Sequence, residues 1–107
     1  MNKYRNKKIT IDGIEFDSKK EGYRYKELRL LERAGLIKDL KLQVKFELQP
    51  SFKLNGKTIR AINYIADFTY IKDGKVVVVD TKGFRTKEYL LKKKLFQYKY
   101  GMDIVEV

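Results

Sequence analysis

Cysteine and histidine are absent from this chain of 107 residues, and proline occurs once. Without Cys there is no disulfide framework and no thiolate metal site. Without His, the usual zinc sites and imidazole acid–base catalysis are excluded as well. Any catalysis therefore rests on carboxylates, Lys, Tyr or Ser/Thr. Any bound metal is held by oxygen, which selects Mg²⁺, Mn²⁺ or Ca²⁺. No stretch has the apolar length that spans a bilayer, and no signal-peptide pattern is present. Acids are scarce beside bases: 14 Asp and Glu against 25 Lys and Arg, a formal net charge of +11. That imbalance is the electrostatic footprint of a nucleic-acid binder. The plainer reading is a ribosomal-type or merely soluble basic protein.

With 43% hydrophobic residues, the chain supports one small domain with a modest core. Residues 1–8 form a basic arm carrying Lys3, Arg5, Lys7 and Lys8. Asp12-Gly13, between alternating residues, marks a two-residue hairpin over 9–16, which pairs Ile9 with Phe16 and Ile11 with Ile14 on one face. Ser18 opens a helix to about Arg33, stopped by Gly35, with Leu28 and Leu31 in the core. Glu21, Tyr25 and Leu28 share its inner face. Leu40, Leu42, Val44, Phe46 and Leu48 alternate with polar residues, a half-buried strand that Pro50 interrupts. Asn55-Gly56 is a second hairpin turn, leading into a strand over 58–71. Asp73-Gly74 is a third, leading into a strand over 75–82. A helix over 86–100, stopped by Gly101, and a short strand over 103–107 complete the core, residues 18–107. The order is hairpin, helix, three antiparallel strands, helix, strand: an α/β unit with no linker or repeat.

The chemistry concentrates at Asp80-Thr81-Lys82, which ends the all-apolar run Val76-Val77-Val78-Val79. Such a run reads as a central buried strand, and charges at its end need partners or a metal. If Asp73-Gly74 is a two-residue turn, Lys72 pairs with Lys75 and Asp67 lies opposite Asp80. Opposed carboxylates repel unless a cation lies between them. Lys82 shares the face of Asp80 by the strand's period of two. The plain reading is ordinary strand-end charge. Glu21 fits two readings equally: a capping box with Ser18, in which it only stabilises the helix start, or a third acid at the site.

At these residues the chain resembles the PD-(D/E)XK nuclease superfamily, whose signature is an acid on one strand, (D/E)-x-K on the next and often a Glu from the preceding helix. Asp67, Asp80-Thr81-Lys82 and Glu21 match it, and the stretches Phe16-Asp17-Ser18-Lys19-Lys20-Glu21 and Asp80-Thr81-Lys82-Gly83-Phe84 look like phage and prophage members. Ala66 stands where the motif has its nominal Pro, a position with no chemical role. The resemblance implies a restriction-endonuclease-like αβββαβ core, with a mixed central sheet flanked by two helices. It implies a Mg²⁺-dependent endodeoxyribonuclease (Mn²⁺ fits the same donors) acting in the cytoplasm of a bacterial host. Asp67, Asp80, the Thr81 backbone carbonyl and Glu21 then hold the metal, and Lys82 orients the attacking water or stabilises developing charge.

Lys19, Lys20 and Arg24 around Glu21, and Arg85, Lys87, Lys93 and Lys94 after the acidic strand, are the candidate phosphate contacts. For any one of them a solvated helix face is an equal reading. Gln43 and Glu47 are weaker substrate-side candidates. The last helix carries two apolar stripes, Leu91/Leu95/Tyr98 and Tyr89/Phe96/Tyr100. One covers the sheet; the N-terminal hairpin or a second copy covers the other. A single metal site cuts one strand, so a duplex or junction cutter is expected to be a homodimer. The expected substrate is DNA ahead of RNA, read by shape (branched DNA such as a Holliday junction) rather than by sequence. The competing readings are a nucleic-acid-binding module that keeps the fold without catalysis, and a structural protein of a larger assembly.

Overall fold

The computed structural model describes residues 7–81 and 85–107. Two short strands, β1 (Ile9–Ile11) and β2 (Ile14–Phe16), precede helix α1 (Lys19–Arg33). Then come β3 (Lys38–Gln49), β4 (Phe52–Leu54), β5 (Lys57–Ile59), β6 (Ile62–Lys72) and β7 (Lys75–Asp80). Helix α2 (Lys87–Tyr100) and β8 (Val105–Glu106) close the chain. The central sheet runs β3-β6-β7-β8, antiparallel except for the parallel pair β7/β8. None of the described helices is long and apolar enough to cross a membrane.

All three Asx-Gly hairpins form as expected. Asp12, Asn55 and Asp73 and the glycines after them all have positive φ, the signature of a type I′ turn, whose twist matches that of the flanking strands. The helix ends are also local in origin. Ser18 Oγ accepts the Glu21 N–H at 3.1 Å, and Thr86 Oγ1 accepts that of Tyr89 at 3.0 Å. α1 stops as Gly35 turns left-handed (φ 78) and Leu36 N–H reaches back to the Leu31 carbonyl, the closing bond of a Schellman motif.

The two helices cover opposite faces of the sheet, as the consecutive residues Val78 and Val79 show. Val79 packs with Phe16, Tyr25, Leu28 and Phe68 on the α1 side, while Val78 packs with Tyr64, Ala66, Tyr89 and Phe96 on the α2 side. The N-terminal hairpin lies on α1, with Ile9, Ile11, Ile14 and Phe16 all in that cluster. Gly22 makes the approach possible: a Cβ there would stand 2.6 Å from Ile9 Cγ2. Gly22→Leu is therefore expected to lower stability by about 2 kcal/mol, as overpacking does, with the loss read from thermal melts.

Several expectations fail. Leu31 is exposed and contributes nothing to the core. The strand expected over 58–71 is two strands, β5 and β6, belonging to different sheets. Tyr89, Phe96 and Tyr100 form the stripe of α2 that covers the sheet. Leu91, Leu95 and Tyr98 stay exposed, and the hairpin expected to cover one stripe sits on the other helix. The largest correction concerns β3. Leu40 and Leu42 pack on the α1 side, but Phe46 and Leu48 pack on the α2 side. β6 does the same, with Tyr64 and Ala66 on the α2 side and Phe68 and Tyr70 on the α1 side. The register holds across the change, with Leu42 opposite Phe68 and Val44 opposite Ala66. Both strands thus turn over together between these pairs, at Gln43 and Asp67. Gln43 has φ 53, left-handed backbone that a non-glycine residue adopts in mid-strand only under constraint.

Candidate functional site

β6 and β7 run side by side only as far as Phe68 and Val79. That register is the one the Asp73-Gly74 turn dictates, so the next step would set Asp67 against Asp80. The pairing ends before that step, where the strands fork, and the Asp67 carboxylate is held by Thr81. Beyond the fork, residues 62–66 of β6 pair only with β3, and β7 is joined on its other side by β8, with Asp80 beside Glu106. A cavity of ≈ 260 Å³ lies between β6 and α2, lined by Asn63, Tyr64 and Ile65 of β6 and by Thr86, Glu88, Tyr89 and Lys92.

Each acid is held by its own donors. Asp80 is fully buried and accepts the Tyr64 hydroxyl at 2.7 Å. Burial and the Asp80 carboxylate both hold that hydroxyl protonated far above the usual tyrosine range, so Tyr64 is a fixed donor. Asp67 Oδ2 accepts both the backbone N–H and the hydroxyl of Thr81 at 2.7 Å. Thr81 thereby locks the strand end of β7 onto β6. The third acid is Glu21, buried on the first turn of α1, where its Oε2 accepts the Gln43 amide at 3.0 Å. Burial raises the Glu21 pKa to about 7, and repulsion from Asp67, Asp17 and Asp80 adds to the rise; a backbone bond at Asp17 offsets part of it. The repulsion places Glu21 in the field of both strand acids. The Glu21 N–H is capped by Ser18, and its carboxylate lies in the field of Asp67 and Asp80.

The donor set is entirely hard oxygen, which suits Mg²⁺. Among the described residues no group of three or more acidic side chains is placed to hold a metal ion together. Mg²⁺ needs none, because it binds through one or two carboxylates and keeps its waters. The clustered negative charge around Glu21 is the observation that fits a cation. Lys82, expected beside Asp80, lies outside the described residues, as does most of the N-terminal basic arm.

The basic residues divide into two groups. Lys19, Lys20, Lys87 and Lys94 are exposed and form no ion pair among the described residues. Arg24 pairs with Glu27 at 3.3 Å. Arg85 and Lys93 converge on Glu106, at 3.6 and 3.1 Å. Lys93 and Arg85 are therefore tied to the last strand, a partner that α2 on its own does not reveal. Glu106 also accepts the Tyr89 hydroxyl at 2.6 Å, and that bond together with Lys93 holds its pKa below the usual range. Sequence reasoning missed Tyr64 and Glu106 and underrated Gln43. Tyr64 and Asp80 meet only because the strands fork, and Gln is not a residue type that signals left-handed backbone.

The chain belongs to the family described as "Protein of unknown function (DUF1064)", whose model matches residues 1–105. No curated protein and no solved structure matches the chain.

Proposed function

We propose that this protein is a metal-dependent endonuclease that hydrolyses DNA phosphodiesters. The observation that carries the reading is that Asp67 and Asp80 both stand at the fork of β6 and β7, just past the last paired residues, with Glu21 of α1 in the field of both. The core order supports it: α1, then β3, β6 and β7, then α2 and β8, with β4–β5 as an insertion, follows the αβββαβ order of restriction-endonuclease-like domains. The surplus of positive charge supports nucleic acid as the substrate.

Asp67 and Asp80 would hold Mg²⁺, with Thr81 beside them and Glu21 completing the shell through a water. A bound Mg²⁺ supplies positive charge against the scissile phosphate and lowers the pKa of a coordinated water. Thr81 orients Asp67 through its N–H and hydroxyl, and Tyr64 orients Asp80. Glu21, with a pKa near neutrality, is suited to take up or release a proton at its carboxylate during turnover. Lys82 follows Asp80 by two residues and is assigned the role of charge stabiliser. Lys19, Lys20, Lys87 and Lys94 supply phosphate contacts. Branched DNA is the proposed substrate shape, and cutting both strands takes two copies of the chain.

Cleavage of labelled single-stranded, linear duplex and four-way-junction DNA tests the reading, with Mg²⁺ or Mn²⁺ against EDTA. Metal-dependent products support it. Binding without cleavage in either metal replaces it with a non-catalytic module.

Gln43 is the positioning residue of this site. Relief of its left-handed backbone by glycine is worth about 1 kcal/mol, comparable to the hydrogen bond lost. Gln43→Gly is therefore expected to leave the metal-free melting temperature nearly unchanged, while Glu21 loses its tether. The Mg²⁺-dependent rise in melting temperature shrinks in consequence. A purely structural role gives the opposite pattern: a lower melting temperature in EDTA and an unaltered Mg²⁺ response.

A further inference from the structure

Strands β4 and β5 form a sheet of their own and make no substantial contact with any other element. Every residue from 51 to 60 is exposed. The radius of gyration, 16.0 Å, exceeds the ~13 Å of a compact domain of this length, as a projecting arm requires. A lone two-stranded hairpin is at best marginally stable in water, so an arm of this kind calls for something to lie against.

Its chemistry narrows the choice. Phe52 pairs with Ile59 and Leu54 with Lys57, and directly paired residues share a face. One face therefore carries Phe52, Leu54, Ile59 and the Lys57 ammonium; the other carries Lys53 and Thr58. Arg60 follows at the base. Between Glu47 and Asp67 the chain contains no acid at all. Phe52 and Leu54 are 44% and 58% exposed. A second copy of this chain is a poor fit for a surface with cations and no anions, because that copy also carries a net charge of +11. Duplex nucleic acid fits both halves of the chemistry. Its phosphates take the cations, and its grooves admit a two-stranded ribbon whose apolar side chains wedge against base steps. The geometry relative to the fork also agrees. The base of the arm at Ile62 is five residues from Asp67, roughly 17 Å of strand, so the arm and the acids can engage neighbouring parts of one duplex.

We infer that the β4–β5 hairpin is a duplex-gripping arm, in which Lys53, Lys57 and Arg60 contact phosphates and Phe52 and Leu54 press into a groove. The inference rests on the nucleic-acid reading above and adds a binding element outside the acidic site.

The test measures anisotropy of the full chain on a fluorescein-labelled duplex and a labelled four-way junction, in EDTA across a salt series. Two variants are compared: Lys53→Ser with Lys57→Ser and Arg60→Ser, and Phe52→Ser with Leu54→Ser. Every altered side chain is exposed, so both variants keep the wild-type melting temperature. The first is expected to bind about tenfold or more weakly, with a salt slope shallower by about 3. The second binds more weakly with its slope intact. Wild-type affinity in both variants overturns the arm and leaves the nuclease reading standing. A Phe52/Leu54 variant that sediments as a monomer where wild type is a dimer, with unchanged duplex affinity per protomer, also overturns it, in favour of a second copy. Failure of the wild-type chain to bind either DNA at low salt overturns the arm together with the reading beneath it.

Discussion

Asp80→Asn is expected to slow Mg²⁺-dependent DNA cleavage by about 10³-fold or more while the folded protein melts no lower than wild type. The two halves of this result come from different properties of one buried group. Asp80 is fully enclosed and accepts the Tyr64 hydroxyl at 2.7 Å. The amide oxygen of Asn accepts the same bond, so the Tyr64 hydroxyl is not orphaned, and orphaning is the usual large cost of altering a buried polar group. The substitution also removes a buried negative charge that repels the Glu21 carboxylate. Metal-free stability is therefore unchanged or higher. What disappears is the carboxylate proposed to hold the cation, and a catalytic cation's share of transition-state stabilisation is several kcal/mol, tenfold in rate for each ~1.36 kcal/mol. Initial rates on labelled DNA, set beside thermal melts in EDTA, measure both. Asp80→Asn protein cleaving at the wild-type rate removes Asp80 from the metal site.

The second large effect is on stability against pH in the absence of metal. Glu21 has a pKa raised from 4.5 to about 7, first by burial and then by repulsion from Asp67. The folded state thus holds this proton more tightly than the unfolded chain does. The stabilisation is fully present below about pH 4.5 and is lost as pH rises through about 7, because above that point the fold must keep a buried carboxylate charged. The whole difference amounts to about 3 kcal/mol at most, a shift of ten degrees or more in melting temperature for a domain of this size. Glu21→Gln keeps a partner for the Gln43 amide and has nothing to titrate, so the difference between the two proteins isolates this group. In EDTA the wild type is expected to lose stability relative to Glu21→Gln between those pH values. In Mg²⁺ the wild-type loss disappears, because the cation binds the ionised form and displaces the proton. Parallel pH profiles of the two proteins in EDTA would falsify the assignment of a raised pKa to Glu21.

Local signals in the sequence were legible and longer-range ones were not. Each Asx-Gly pair fixes its own turn, and the Asp73-Gly74 turn alone sets the register of β6 on β7, from Lys72 with Lys75 to Phe68 with Val79. Ser18, Gly35, Thr86 and Gly101 bound the helices through bonds spanning a few residues. The turnover of β3 had no such signal. Leu40, Leu42, Val44, Phe46 and Leu48 alternate identically whether the strand stays on one face or changes sides, since each half alternates correctly by itself. The break before β6 was hidden for a similar reason: Arg60-Ala61 is not turn chemistry. The Arg85–Glu106–Lys93 cluster depends on β8 lying parallel to β7, a pairing made across the whole of α2. Tyr64 was invisible as Asp80's donor because the bond crosses a fork, where strand register no longer says which side chains meet.

The order in which contacts become possible follows from the connections. β1/β2, β4/β5 and β6/β7 are each joined by two residues, and such hairpins close in microseconds. The β7/β8 pair waits for a complete helix to form and cross over, which makes it a late, non-local event. The strands that carry Asp67 and Asp80 are thus paired early, by the shortest kind of loop. The groups that enclose their end of the sheet (Tyr89 and Glu106, with Val107 N–H on the Asp80 carbonyl) arrive last. During synthesis the end of the β6/β7 hairpin forms while still open to water and ions, and residues 105–107 close over it later.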